Sequence, residues 1–477
     1  MKFTTYLLTL FCLVVLFSGS TAFATTATSV SLKSSLPNGN NVTCPVGTPI
    51  TFTATVTPSV PNGETVTLYS GTTLIASAPT KSSVATLPTS ILSEGSDNLT
   101  ATYVGDANFS SSISPVVNQI VLDSEGRVNV IDYGAIGNRG YNDDAPFASA
   151  FAAALLVHMP IHVPAGTYML TKPLVLNGVD LTGEGRSSVL QWHIPLGVGV
   201  PALSVISVPN QGNPVNISNL CLVGPATSFK LGVKQGVGDG LGYEALSTQG
   251  GTGGYVTNVS VKNFDSGFVI GNYGGHTFLR DCQAAGCYYD VYIPVQNSGD
   301  YSFDTCGFGG AAMASIGVSG QIGTSFCAYR TNLGFSPFGI YQEPANGYVV
   351  GGFLNDVKLI QCKFEACGNA AIYTAVPYSA TGGNSVVSNL QIQDAGFRWD
   401  SYYQIPGLPH SSAVVLSVVQ GHNVFDCGGG AFTSSISGAP AYSFAHLADS
   451  GTTIYQSGLT ASQVTTGTSN PVTVVPY

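Results

Sequence analysis

Residues 25–122 carry the first of two patterns of hydrophobic and polar positions along the chain. Apolar and polar residues alternate there in short runs, for example at 49–56, 65–69 and 99–104, and threonine often takes the polar positions. A period of two is typical of β-strands with one buried and one solvated face. Turn residues such as Pro-Asn-Gly at 61–63 separate the runs. About seven short strands in this length predict a β-sandwich.

The second pattern is a repeat that begins near residue 128. Each copy reads apolar, any, apolar, any, small polar, then cysteine or another core residue, as in residues 215–222 and 357–364. Copies recur after one or two units of roughly 20 residues plus insertions, which indicates a solenoid, and the short β-like runs favour a parallel β-helix. The small polar residue would turn a corner between two strands and stack in a ladder. We therefore predict structural roles for Asn219, Asn263, Asp281, Thr305, Gln361, Asp394 and Asp426.

The first 24 residues have the features of a secretory signal peptide. Lys2 precedes an apolar run at 6–17, and Ala22 and Ala24 occupy the −3 and −1 positions of a cleavage site. The run is too short to span a membrane, which takes about 20 apolar residues, and no later run is long enough either. The sequence therefore predicts a secreted, extracellular or cell-surface protein with no membrane span.

Composition limits the partners and the chemistry. Charged residues make up 8% of the chain and the net charge is −10, whereas an ordinary soluble domain is about 25% charged. A chain this poor in Lys and Arg is not expected to bind nucleic acid, which requires a basic surface. Of the ten cysteines, Cys12 would leave with the signal peptide. The remaining odd number has neither a disulfide framework nor histidines at zinc-site spacing, so we expect buried free thiols.

Two segments resemble known families. Residues 103–109 resemble a stretch of bacterial Ig-like repeats. Residues 128–137, 142–144, 163–168 and 181–185, with an Ala-rich helix predicted between them, resemble the cap and first coils of the pectate-lyase-like superfamily. That superfamily contains polygalacturonase-like and rhamnogalacturonase-like glycosidases and phage tailspikes.

The resemblance implies an all-β protein, a right-handed parallel β-helix solenoid behind an N-terminal Ig-like β-sandwich. The helix, predicted near 146–156, would be capped by Asp144, and Asp143 would be structural with it. The polygalacturonase catalytic motifs do not appear after residue 144, so the sequence leaves the catalytic reaction undecided. The predicted division is: signal peptide 1–24, Ig-like domain 25–122, linker 123–127, β-helix 128–455, and C-terminal tail or cap 456–477.

Substrates in this superfamily usually lie along the outer face of one sheet, flanked by loops. The corner positions would bring residues 288–293, 370–374 and 412–416 together in that sheet. On the first strand, Asp290 and Tyr292 would point outward, with the residue between them inward.

Two loop insertions, 329–355 and 398–410, would add carboxylates and aromatic rings, which suit sugar hydroxyls and sugar ring faces. Glycoside hydrolysis uses two carboxyl groups, about 5–5.5 Å or 6.5–9.5 Å apart. The catalytic candidates, each of which could instead be a solvated acid, are Asp290, Glu343 and Asp400. The substrate-binding candidates are Tyr292, Tyr341, Trp399, Tyr402, Tyr403, His410 and Arg398.

Several functions remain open at this stage. The first is a secreted glycoside hydrolase that cleaves a plant or microbial cell-wall polysaccharide without a cofactor or metal. A second is a non-catalytic β-helix adhesin or glycan-binding surface protein. A polysaccharide lyase would act by β-elimination, with Arg398, Arg330 or Tyr292 as the base and Ca²⁺ as a cofactor, and an epimerase would also act on a polymer. The resemblance to tailspikes leaves a homo-oligomer open.

Overall fold

The computed structural model describes most of the chain. The described residues are 25–36, 42–206, 215–226, 230–244, 254–270, 276–294, 300–318, 326–342, 354–355, 357–374, 386–388, 391–393, 396–399, 401–408, 414–420, 423–426, 442–447, 452–455, 464–466 and 473–475. Two compact units divide the chain: one takes most residues before 120, and the other takes residues 120 onward together with 43–46 and 94–96.

The N-terminal strands form two sheets, as expected for an Ig-like β-sandwich. Strand β3, Ile50–Thr57, alternates as predicted, with Ile50, Phe52, Ala54 and Val56 buried. The three-stranded sheet contains β1 Ser29–Ser34, β3 Ile50–Thr57 and β6 Val84–Thr89, paired antiparallel. The six-stranded sheet contains β2 Val42–Pro45, β4 Thr65–Ser70, β5 Thr73–Pro79, β7 Gly95–Tyr103, β8 Ser112–Ile113 and β9 Val117–Leu122.

The rest of the described chain is a right-handed parallel β-helix built on two long sheets. A coil adds two strands to the larger sheet and one to the smaller. The larger sheet contains β10 Val128–Asn129, β11 Asn138–Asn142, β12 Ile161–Val163, β13 Gly166–Leu170, β15 Leu181–Gly183, β16 Ser188–Trp192, β18 Ile217–Val223, β20 Gly254–Lys262, β22 His276–Arg280, β23 Gln283–Ala285, β25 Asp300–Asp304, β26 Gly307–Gly309, β28 Phe326–Tyr329, β29 Asn332–Gly334, β32 Val357–Ile360, β33 Lys363–Cys367, β36 Gln391–Gln393, β37 Gly396–Trp399, β39 Asn423–Asp426, β41 Thr452–Tyr455 and β43 Thr473–Val475.

The smaller sheet runs alongside and closes each coil. Its strands are β14 Leu174–Asn177, β17 Pro201–Ile206, β19 Asp239–Glu244, β21 Ser266–Ile270, β24 Tyr289–Ile293, β27 Ala314–Val318, β30 Phe338–Gln342, β31 Leu354–Asn355, β34 Ala370–Thr374, β35 Val386–Ser388, β38 Val414–Gln420, β40 Tyr442–Leu447 and β42 Val464–Thr466. Equivalent apolar residues of successive coils stack inside the solenoid. One such column contains Phe268, Val291, Ile316, Ile340 and Ile372.

The corner between the two strands of the larger sheet is turned by a residue in the left-handed region. Its φ lies between 47° and 57° at Asn219, Asn258, Asp281, Thr305, Arg330 and Gln361. The prediction is confirmed for Asn219, Asp281, Thr305 and Gln361. Asn263 also turns a corner, with a φ of 63°, but that corner follows β20, whereas Asn258 turns the corner within β20. Asp426 is the last residue of β39, and Asp394 lies outside the described residues. Asn258 Nδ2 donates to Asn219 Oδ1 at 2.8 Å, so these two side chains form a rung of the predicted ladder.

Helix α1, Asp144–Val157, lies near the start of the solenoid. The N-cap position belongs to Asp143 and not to Asp144, and the Asp143 side chain makes no capping hydrogen bond. The Asp143 carboxylate instead accepts from the backbone of Ile136 and Met169, and Asp144 accepts from Thr171. Both acids are structural, as predicted, but they tie the helix to the first coils.

Further features of the described chain bear on the predictions. Among the described residues, six cysteines are free thiols and all six are buried, as expected: Cys221, Cys282, Cys287, Cys306, Cys362 and Cys367. Asp123 accepts from the backbone of Glu125 and Arg127, so the predicted linker is a hydrogen-bonded turn. Parallel pairing continues beyond residue 455, since β42 pairs with β40 and β43 with β41.

No described helix has the length and apolar character needed to cross a bilayer. The predicted signal peptide lies outside the described residues.

Candidate functional site

The smaller sheet brings together the three strands predicted to carry the site. Strands β24, β34 and β38 belong to it, with β27 and β30 between β24 and β34. Tyr292, Gly317, Tyr341 and Tyr373 occupy one register position on β24, β27, β30 and β34. Because strands stack about 4.8 Å apart, this position forms a row along the solenoid.

Aromatic rings cover this row and the neighbouring one. We call the rings of Tyr289, Tyr292, Phe338, Tyr341 and Tyr373 the aromatic face. Tyr289 and Tyr292 stack with centroids 5.3 Å apart, and Tyr341 and Tyr373 stack at 5.8 Å. The ring of Phe338 lies 4.7 Å from that of Tyr341 and 5.3 Å from that of Tyr373.

Glycine makes this arrangement fit at one position. A Cβ atom on Gly317 would lie 2.4 Å from Cδ1 of Tyr289, far inside van der Waals contact. The Tyr289 ring therefore lies across Gly317 and reaches Tyr292. A larger residue at position 317 would displace the buried Tyr289 ring.

Two segments border the aromatic face. Ile405 and Leu408 pack against it, and the Asn369 side chain fixes their segment by accepting from Ile405 N at 2.8 Å and donating to Ile405 O at 3.2 Å. In the second segment, Lys234 Nζ lies 6.0 Å from the centroid of the Tyr292 ring. Tyr292 and Tyr373 remain half-buried, whereas Tyr341 is buried.

Asp239 is a carboxyl group that the sequence reasoning missed. It begins β19, two residues before the Leu241–Phe268 register pair and therefore level with Ser266 and Tyr289. Burial raises the pKa of Asp239, and the Asp265 carboxylate raises it further, while Ser266 and Lys234 favour the ionised form. Asp239 Oδ1 has no hydrogen-bond partner among the described residues. A buried carboxyl group with a raised pKa is a candidate proton donor.

Asp265 holds the segment that precedes Asp239 in place. Its carboxylate is occupied by backbone hydrogen bonds, so it is not a catalytic candidate. Its carboxylate accepts from the backbone N–H groups of Gln235, Gly236 and Gly238 at 2.9, 2.9 and 3.2 Å. Those bonds hold the loop that carries Lys234 and leads into Asp239.

The outward orientation predicted for Asp290 is wrong. Asp290 is fully buried, and neither of its carboxyl oxygens has a hydrogen-bond partner among the described residues. Tyr289 and Tyr292 both belong to the outer face, so two residues separate outward side chains and simple alternation fails. Burial raises the pKa of Asp290 well above its usual range. The Cys287 backbone lowers this pKa, but by less.

The remaining predicted residues are dispersed. The backbone of Arg398 and Trp399 belongs to β37 in the larger sheet, so the loop predicted from 398 begins later. Tyr402 is exposed, and its ring lies 5.0 Å from that of Tyr403. Arg330 turns a corner and pairs with Asp304 at 2.7 Å, away from the aromatic face. Three predicted residues lie outside the described residues: Glu343, Asp400 and His410.

Comparison with known families identifies one part of the chain. Residues 37–122 match the model of the bacterial Ig-like domain, group 3. The Ig-like prediction is thereby confirmed.

A curated relative is similar to another part of the chain. Depolymerase 1, capsule K3-specific, of Klebsiella phage KP32 is 28% identical over 153 residues, which is 30% of this chain and 16% of the depolymerase. The match thus spans about a sixth of that protein's length.

Solved structures are similar at low identity. The catalytic unit of the GH87 α-1,3-glucanase from Streptomyces thermodiastaticus is 14% identical with a TM-score of 0.36, over 91% of this chain and 89% of that one. The family 28 exopolygalacturonase of Yersinia enterocolitica is 12% identical with a TM-score of 0.41, over 90% of this chain and 96% of that one.

Proposed function

We propose that this protein is an extracellular polysaccharide-degrading enzyme, a glycoside hydrolase that holds a microbial surface or cell-wall glycan on the aromatic face. The observation that carries the proposal is the position of Asp239, a buried carboxyl group with a raised pKa that lies level with Tyr289. The Lys234 ammonium group acts on this carboxyl group and lies 6.0 Å from the centroid of the Tyr292 ring. Sugar rings stack on aromatic rings through their apolar faces. The similarity to a phage capsule depolymerase supports a microbial glycan as substrate.

Asp239 would act as the general acid. Its raised pKa keeps a proton available for the glycosidic oxygen, which leaves as an alcohol when the bond to the anomeric carbon breaks. A second carboxylate must then attack that carbon or activate water. Glu343 and Asp400 remain the candidates, and Glu343 follows directly after Gln342, the last residue of β30. Asp290 is not included, because no solvent reaches it.

The test is release of reducing ends from a panel of bacterial capsular and plant cell-wall polysaccharides, with absorbance near 235 nm followed in parallel. We expect reducing ends without the unsaturated product of β-elimination. Asp239→Asn should lower kcat by about 10²–10⁴-fold, the usual contribution of a general acid. Asp304→Asn, a matched change at a corner of the larger sheet, should leave kcat within about twofold.

Other outcomes would contradict the proposal in distinct ways. A rising chromophore would indicate a lyase, and Ca²⁺ dependence would then be tested by chelation. Binding without any cleavage, from folded protein, would favour the adhesin. Full activity of Asp239→Asn would remove Asp239 from the mechanism.

A further inference from the structure

A groove lies on a different face of the solenoid, on the outer side of the larger sheet. It encloses about 480 Å³ along strands β16, β18, β20, β23, β26 and β29. Its floor is one register column, which contains Val189, Cys221, Ser260, Gln283, Gly307 and Asn332. These side chains are mostly short, so the sheet surface is sunken there. Five strand spacings give a length of about 24 Å, enough for several sugar units.

Three cations line this groove: Arg139, Arg186 and Lys262. None of them forms an ion pair within the described part of the chain. Among the described residues, no Asp or Glu lines the groove. Since the protein carries a net charge of −10 with only 15 Lys and Arg, three unpaired cations in one concavity are a local reversal of its charge. An anion would be repelled elsewhere and attracted here.

The groove also offers partners for uncharged groups. The side chain of Asn332, a partly exposed residue, lines the groove and adds an amide to it. The ring of Phe335 lines the groove near Asn332, and the ring of Tyr403 packs on it at 6.0 Å. Cations that can bind carboxylates, an amide and an aromatic ring together match an acidic sugar chain better than a simple anion.

We infer that this groove, the cationic groove, binds an acidic polysaccharide whose carboxylates pair with Arg186, Lys262 and Arg139. The site is separate from the aromatic face and does not depend on the proposed hydrolysis. It would hold a charged stretch of glycan along the solenoid axis. Arg186 is already oriented, because its Nη2 donates to Gln283 Oε1 at 2.5 Å.

The test is calorimetric titration of the intact protein with polygalacturonate, with neutral dextran as the comparison polymer. We expect polygalacturonate to bind, and to bind more weakly as salt screens the charges. Lys262→Glu should weaken binding about tenfold, and Arg186→Gln severalfold. Lys358→Glu makes the same charge change on β32, away from the groove, and should alter affinity less than about twofold.

The readout is binding, so absence of cleavage leaves the result interpretable. Thermal melting would establish that each variant is folded, and Arg186→Gln decides if Lys262→Glu is not. Equal affinity for dextran would overturn the inference. So would unchanged affinity of both groove variants, an equal loss in Lys358→Glu, or tighter binding of a single-stranded oligonucleotide than of polygalacturonate.

Discussion

At the scale of single residues, the solenoid contains carboxyl groups that differ sharply in environment. Asp290 is fully buried without a hydrogen-bond partner among the described residues, and burial raises its pKa well above the usual range. Burial alone would raise the pKa of Asp144 as well, but hydrogen bonds from Thr171 and Lys172 lower it. Protonation therefore stabilises the folded protein at Asp290 and destabilises it at Asp144.

Replacing Asp290 by Asn should stabilise the protein at neutral pH. The folded-state pKa is raised, so above the unfolded-state pKa folding must take up a proton that the unfolded chain has lost, and this cost grows until the pH reaches the folded-state pKa. We expect Asp290→Asn to raise the free energy of unfolding by about 1–3 kcal/mol at pH 7, with the gain declining as pH falls toward 4. Urea unfolding at several pH values measures this difference.

Asp144→Asn is the matched variant, and its expected effect on the free energy of unfolding has the opposite sign. The folded-state pKa of Asp144 is lowered, so the carboxylate stabilises the fold above the unfolded-state pKa, and this stabilisation is lost as pH falls through the folded-state pKa. We expect this variant to lose about 1–2 kcal/mol at pH 7 and to approach the wild type in acid. The same sign for both variants would refute the assignment.

Asp239 gives the pH dependence of the proposed activity. A general acid must be protonated, so kcat should fall as pH rises through the raised pKa of Asp239. The residual activity of Asp239→Asn should lack this alkaline limb. A pH–rate profile of both proteins tests this point, and an unchanged limb in the variant would assign it to another group.

At the scale of strands and corners, glycine and asparagine set what each coil can carry. Gly317 makes space for Tyr289, whereas a Cβ on Gly307 would meet nothing nearer than Gln283 Cγ at 3.8 Å. The two strand glycines therefore differ in how well they tolerate a side chain. Gly317 makes room for a ring of the aromatic face, whereas Gly307 forms part of the floor of the cationic groove.

We expect Gly317→Ala to lower the free energy of unfolding by about 1–3 kcal/mol, because Tyr289 must move. The displaced rings should also weaken glycan binding, seen as a higher KM. Gly307→Ala should change stability by less than about 0.5 kcal/mol. Chemical unfolding of both variants checks the pair, and equal losses would contradict the packing argument.

The corner residue Asn258 allows a second element-scale test. Its φ of 53° costs about 1–2 kcal/mol for an ordinary side chain, and its amide bonds to Asn219. Asn258→Ala should lose both contributions, and Asn258→Gly should recover the backbone part. Equal stabilities of the two variants, measured in urea, would exclude a backbone role.

At the scale of the whole molecule, the sequence supported the architecture better than the site. Repeated apolar positions and turn signals are local, so they predicted the sandwich and the stacked coils. Asn263 turns the corner after β20 and not the ladder corner, because β20 contains its own corner at Asn258, which a single-strand motif cannot reveal. Asp290 was misplaced because two inward residues separate Tyr289 from Tyr292.

Asp239 and the cationic groove could not be predicted from the sequence for the same physical reason. The pKa of Asp239 depends on burial and on Asp265 one coil away. The cationic groove draws Arg139, Arg186 and Lys262 from different coils. Sequence spacing does not show which residues share a face when insertions of variable length lie between coils.

Secretion and the domain boundaries remain predictions for the whole chain. Expressed in a secreting bacterium, the protein should begin at Thr25 when its N-terminus is sequenced. Ala24→Leu should leave the precursor uncleaved because the −1 position requires a small residue, whereas Ala27→Leu should not. Mature protein from Ala24→Leu would place the cleavage site elsewhere.

The segment 401–408 touches both candidate faces. Ile405 and Leu408 pack against the aromatic face, and Tyr403 packs against Phe335 at the cationic groove. A ligand that shifted this segment at one face would change the contacts of the segment at the other. Thermodynamic linkage then requires reciprocity: whatever factor an acidic chain in the groove imposes on affinity at the tyrosines, a glycan on the tyrosines imposes on the groove.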